Sequence, residues 1–160
     1  VVENLSRAWG RPVDGSLRYS FPAPSDLGCA SEADVLACKA GFRSRSICEA
    51  AAEVACGRLD LDAVAAMNYH TAKQELIRLR GVGEKIADCV LLFSMDKFEA
   101  FPVDVWIERA VRHLYFGGER VPHREIRQWA AANFGRLAGY AQEYLFAYAR
   151  LAIPDKLRNG

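Results

Sequence analysis

The 160-residue chain lacks any apolar run of the ~20 residues needed to cross a bilayer. Its first ten residues, VVENLSRAWG, have no basic segment followed by an apolar core, so they do not read as a secretory signal. They read as the middle of a helix, without an initiator methionine. Cysteine is sparse and unpaired: Cys29, Cys38, Cys48, Cys56 and Cys89 form no CxxC. An odd number of scattered thiols argues against a disulfide framework and against a zinc site, and for a reduced, intracellular compartment. His70, His113 and His123 stand alone and read as ordinary surface or capping histidines. A net charge of +1 sets up no global basic field for nucleic acid. The distribution is only mildly tilted: residues 1–69 carry 7 basic and 9 acidic side chains, the remainder 14 and 11.

What is present is helical. No segment alternates as a strand would, and no repeat appears. ENLSRAWG ends at Gly10, and a proline-bearing loop follows. SEADVLACKAG starts at Ser31 as N-cap and stops at Gly41. RSRSICEAAAEVACG is amphipathic through Ile47, Ala50, Ala51 and Val54. DLDAVAAM, TAKQELIRL, EKIADCVLLFSMD, DVWIERAVRHLY, PHREIRQWAAANFG and RLAGYAQEYLFAYARLA complete the set, with Pro154 ending the last. The expectation is one all-α domain of about nine short helices over residues 1–160.

The most informative stretch is LRGVGEKIADC, Leu79 to Cys89. Gly81 and Gly83 between two helical segments make a helix-hairpin-helix near residues 76–92. Glycines allow positive φ and close approach of a partner. The amides of the turn and of the next helix's first residues can gather a phosphate. A simple helix–helix turn explains the same glycines. Lys85 stands at a helix N-terminus, where the dipole disfavours a cation. A partly desolvated lysine there would serve as an amine nucleophile; a surface lysine is the alternative. Cys89 follows one helical turn later on the same face, with Ile86, Val90 and Phe93 expected opposite, in the core. A buried structural thiol is the other reading of Cys89. Asp104, after PheProVal, reads as an N-cap that can also oppose a developing cation.

LRGVGEKIADCVLLFSMDKFEAFPVDVWIERAV closely resembles the signature of helix-hairpin-helix DNA glycosylases, more narrowly of the 8-oxoguanine DNA glycosylase family. Pro102, Val103, Asp104 and Val105 supply its second part. Arg80 stands where that family usually has proline, which leaves the turn intact and adds a charge near the phosphate site. YAQEYLFAYAR resembles the family's glutamine and phenylalanine on the final helix, at Gln142 and Phe146. AGFRSRSICEAA resembles its glycine-tyrosine-arginine segment, with Phe42 for the tyrosine and Arg43 for the arginine. Trp106, two residues after Asp104, is similar to the bacterial branch rather than the eukaryotic one.

The resemblance implies excision of 8-oxoguanine from damaged double-stranded DNA, with Schiff-base strand cleavage by a bifunctional glycosylase/AP lyase. It implies Lys85 and Asp104 as catalytic residues and Cys89, Gln142 and Phe146 as the base pocket. Gly81, Gly83 and Arg43 would contact the DNA backbone. No cofactor is required. A monovalent cation on the hairpin carbonyls is a further implication, whereas an iron–sulfur cluster is not, since no cysteine follows Cys89. A glycosylase for another damaged base, and a non-catalytic DNA-binding module, are the competing readings. The family's β-rich domain and first helices are not in these 160 residues. The chain therefore reads as an N-terminally truncated fragment, monomeric, of a cytoplasmic or nucleoid protein, with the remaining half of its own protein as a partner.

Overall fold

A computed structural model of the chain describes residues 1–152. They form ten α-helices and no strand; a lone bridge joins Pro12 and Tyr19. The contacts divide them into two compact units, one of residues 1–66 with 78–81, the other of residues 67–77 with 82 onward. Pro154 lies outside the described residues.

The first unit holds α1 (Val2–Trp9), α2 (Pro24–Gly28), α3 (Glu32–Val35), α4 (Ser44–Ala55) and α5 (Leu61–Ala66). Ser31 caps α3 as expected, its hydroxyl accepting the Asp34 N–H at 3.2 Å. The regular helix does not run on to Gly41, however. It widens over Leu36–Ala40, where Lys39 takes φ +65°, so the turn ends by backbone geometry before the glycine. Leu5, Leu27, Val35, Cys38 and Ala40 make the core, with Ile47, Cys48 and Ala51 of α4 against it. Gly28 lets α2 lie on α4: a Cβ there would stand 3.2 Å from the Ala52 Cα.

The second unit holds α6 (Tyr69–Ile77), α7 (Glu84–Ser94), α8 (Val105–Tyr115), α9 (His123–Phe134) and α10 (Ala138–Ala152). Its core gathers Phe101, Val103, Ile107, Val111, Ile126, Ala130, Ala138 and Leu145. Ile107 and Val111 of α8 lie in it, whereas Leu114 is exposed. The expectation for α7 is corrected. Its buried face is Ala87, Asp88, Leu91 and Leu92, while Ile86 and Phe93 are 44 % and 60 % exposed and Val90 is half-buried.

The reason for that rotation is a buried polar cluster. Asp88 has no exposed surface. Its carboxylate accepts the Tyr69 hydroxyl at 2.7 Å and the Lys73 ammonium at 2.9 and 3.0 Å. Lys73, itself buried, also donates to the Tyr69 oxygen at 3.2 Å and lies 3.5 Å from Glu84, which pairs with Arg127. A carboxylate with such partners can occupy a core position, and it draws α7 onto α6 by that face. Burial pushes the Asp88 carboxyl above its ordinary value even though the hydrogen bonds from Lys73 and Tyr69 pull it down. Burial and the Asp88 charge likewise raise the Tyr69 phenol.

Replacing Lys73 by methionine leaves Asp88 buried without its cation, and should cost about 3–5 kcal/mol at neutral pH. A buried acid with a raised value is tolerated while protonated, and its ionisation disfavours the fold as pH rises through that value. The penalty measured by urea unfolding should therefore be smaller at pH 5 than at pH 8. A penalty independent of pH would assign the loss to packing alone.

Candidate active site

Lys85 is the second residue of α7, behind Glu84, and it is exposed rather than desolvated. Cys89, one turn on, is half-buried. Burial pushes its thiol above the ordinary value, while the charge of Lys85 and a hydrogen bond from its ammonium pull the other way; the Asp104 charge adds a smaller upward push. The three side chains thus share one electrostatic neighbourhood.

Asp104 caps α8. Its Oδ1 accepts the N–H groups of Trp106 at 3.0 Å and Ile107 at 2.9 Å. The N-cap reading is correct, and it does not exhaust the residue, because Oδ2 takes no part in the cap. The segment before it is rigid, since Phe101, Pro102 and Val103 are buried. A carboxylate held this way keeps its position as charge develops nearby, the requirement for electrostatic stabilisation.

Gln142 and Phe146 lie one turn apart on α10. Gln142 is 6 % exposed, yet its Oε1 has no hydrogen-bond partner. Such a group normally costs ~1–3 kcal/mol, and one in a native fold calls for a ligand or another explanation. Phe146 packs against the core cluster, and the Arg150 guanidinium stands 5.7 Å from its ring centre. α10 meets α7 through Gly139, where an added Cβ would run into Leu92.

The two hairpin glycines differ. Gly81 has φ +80°, and a Cβ there would lie 2.9 Å from the Ser46 Cβ, so both strain and space require glycine. Gly83 caps α7 with φ −90° and ψ 177°, ordinary extended backbone, and nothing lies within 4 Å of where its Cβ would be. The expectation of positive φ holds for Gly81 and fails for Gly83. The space at Gly83 is open to whatever approaches the start of α7.

Lys85, Cys89, Asp104, Gln142, Phe146 and Gly83 all belong to the second unit, whereas Arg43 and Gly81 belong to the first. Arg43 is exposed, its guanidinium 4.5 Å over the ring of Phe42, which is 87 % exposed. His70, His113 and His123 are surface residues as expected, His123 pairing with Glu108 at 3.0 Å. Among the described residues no group of three or more His, Cys, Asp or Glu side chains is placed to hold a metal ion. Sequence reasoning missed Asp88, Lys73 and Gly139, which aim α7 and α10. The available signal was an aspartate inside the apolar run IADCVLLF.

Two measurements check this geometry. Gly81→Ala should lose about 1–3 kcal/mol through its left-handed backbone, and Gly83→Ala less than about 1 kcal/mol, by chemical denaturation. Gln142→Leu should melt at or above the wild-type temperature, because it removes an unpaired buried acceptor; a large fall would mean the amide is satisfied in solution.

No family model matches the chain. Among curated proteins it is 33 % identical over 181 residues to a probable N-glycosylase/DNA lyase of Methanothermobacter thermautotrophicus, covering 99 % of this chain and 57 % of that protein. It is 30 % identical over 145 residues to an N-glycosylase/DNA lyase of Arabidopsis thaliana, covering 84 % and 40 %. Among solved structures, the Clostridium acetobutylicum 8-oxoguanine glycosylase/lyase, in complex with double-stranded DNA containing cytosine opposite 8-oxoguanine, superposes with a TM-score of 0.88. That match has 37 % identity over 93 % of this chain and 52 % of that one. The 3-methyladenine DNA-glycosylase of Archaeoglobus fulgidus gives 0.76 at 28 % identity, over 94 % and 52 %. The chain spans about half the length of the relatives it matches. Over nearly its whole length the chain is thus similar to N-glycosylase/DNA lyases and to an 8-oxoguanine glycosylase/lyase.

Proposed function

We propose that the chain carries the catalytic part of a glycosylase/AP lyase that removes 8-oxoguanine from duplex DNA. The observation that carries this reading is the grouping of Lys85, Cys89 and the Asp104 carboxylate in one electrostatic neighbourhood of the second unit.

Chemistry on a stacked base requires extrusion of the nucleotide, at a cost of a few kcal/mol. The orphaned Gln142 Oε1 would accept an N–H from the edge of the flipped base and gain the partner it lacks. Phe146 offers an aromatic face and Cys89 a polarisable sulfur for its two sides. A thiol held above its ordinary value stays neutral, as a group packed on a base should be. As the C1′–N9 bond breaks, positive charge builds on the sugar, and Asp104 stabilises it. Lys85 as free amine attacks C1′, and the departing base takes the bonding pair and a proton. Ring opening then gives the Schiff base from which β-elimination cuts the strand.

Gly83 leaves room for the DNA backbone at the N-terminus of α7, and Gly81 shapes the turn before it. Arg43 would contact a phosphate in the first unit, with Phe42 as an exposed ring able to wedge between bases. A monovalent cation at the hairpin would take backbone carbonyls, hard oxygen donors that suit it. The Gly83 carbonyl already accepts the Ala87 N–H at 2.9 Å and keeps a second lone pair. Such an ion enters no step of this chemistry.

A second reading, a glycosylase for an alkylated base, is supported by the fold shared with the 3-methyladenine enzyme. Single-turnover base release distinguishes the two. The protein should release 8-oxoguanine from a duplex with cytosine opposite and leave 3-methyladenine in place; the reverse order favours the second reading. Asp104→Asn, which keeps an N-cap side chain, should slow release about 10²-fold or more. An Asp104→Asn protein as fast as wild type would reduce the residue to its capping role. Release from no duplex would leave only a DNA-binding module.

A further inference from the structure

Two arginines share one glutamate beside the Gly81 turn, an arrangement outside the site described so far. In the first unit, Arg45 Nε donates to Glu49 Oε1 at 2.7 Å, an i,i+4 pair on α4. Arg80 reaches the other oxygen of the same carboxylate from outside the helix, Nε to Oε2, at 3.9 Å. That distance is a Coulomb contact too long for a hydrogen bond. Glu49 is thus shared by two guanidinium groups, Arg45 also feels the charge of Glu32, and the Arg80 and Arg45 side chains are 56 % and 55 % exposed.

Three observations set this cluster apart from a routine surface pair. Arg45 stands in the first turn of a twelve-residue helix that carries no acid there, against the preference of the helix dipole. Ser46, the next residue, is the one the Gly81 turn rests on, so the cluster flanks that turn. Arg80 itself stands immediately before Gly81 in the chain. An exposed guanidinium held only at Coulomb distance beside a glycine turn is one that a phosphate can engage by hydrogen bonds.

We propose that Arg80, with Arg45 across Glu49, binds a phosphodiester of the duplex beside Gly81, and that Glu49 is the counter-charge the phosphate displaces. The inference rests on the reading of the chain as a DNA glycosylase and adds a backbone contact beyond Arg43 and the two glycines. A contact of this kind adds affinity on every sequence and no base selectivity.

The test is fluorescence anisotropy of the protein with a labelled duplex, with and without 8-oxoguanine, at several KCl concentrations. Arg80→Ala should make the plot of log affinity against log salt shallower by about 0.9, so that it loses roughly three- to four-fold less affinity than wild type between 50 and 200 mM. It should weaken binding to both duplexes alike, and Arg80→Lys should restore the slope. Glu49→Gln should tighten binding to both. Arg80→Ala with a lowered melting temperature but unchanged affinity and slope would make the pair a structural clasp and overturn the inference. Glu49→Gln that binds no tighter would overturn the displacement. A wild-type protein that binds neither duplex overturns the glycosylase reading itself; binding that survives Arg80→Ala unaltered overturns this inference alone.

Discussion

The ion pair between Asp88 and Lys73 is the constraint on which the candidate site depends. Hydrophobic burial alone would accept α7 in more than one rotation, since Ile86, Val90 and Phe93 are as apolar as Ala87, Leu91 and Leu92. A carboxylate with no exposed surface can be satisfied in one rotation only, the one that brings it to Lys73 and the Tyr69 hydroxyl. Ion pairs of this sort contribute little net stability compared with an apolar replacement, but they penalise every arrangement that leaves one partner unpaired. Fixing Asp88 inward fixes Lys85 and Cys89, three residues before it and one after, toward the outside of the helix pair.

From that orientation the chemistry follows by electrostatics. Burial pushes the Cys89 thiol up, against the opposing pull of the Lys85 charge. Asp104 is held by its own cap bonds on a segment whose preceding residues are buried, so its charge is fixed in place. Gln142 carries an unsatisfied acceptor on α10, and Gly139 lets that helix press onto Leu92. Of these features, the unpaired Gln142 acceptor costs the isolated fold something. The unpaired acceptor is a group that a ligand can complete.

Much of this was legible in the sequence. Helix positions followed from glycine and proline punctuation, and Ser31 and Asp104 capped as their positions required. The candidate pair, Lys85 and Asp104, came from a lysine in an unfavourable place and from the resemblance around it. The rotation of α7 was not legible, because periodicity counts apolar residues and cannot know that an aspartate will find a lysine fifteen residues earlier. Gly81 and Gly83 looked equivalent, and only backbone angles separate the strained turn from the open cap. The widened turn at Lys39 was hidden for the same reason: its positive φ runs against the preference of a non-glycine residue and leaves no sequence signal.

The proposed function stands most directly on a covalent bond forming between Lys85 and the sugar. Incubating the protein with an 8-oxoguanine duplex in the presence of borohydride, then digesting it and mapping the trapped adduct by mass spectrometry, tests that bond. The adduct should reside on the peptide containing Lys85 and vanish in Lys85→Gln. An adduct on another lysine or on the chain's N-terminal amine, or none with a duplex from which the base is released, would contradict it.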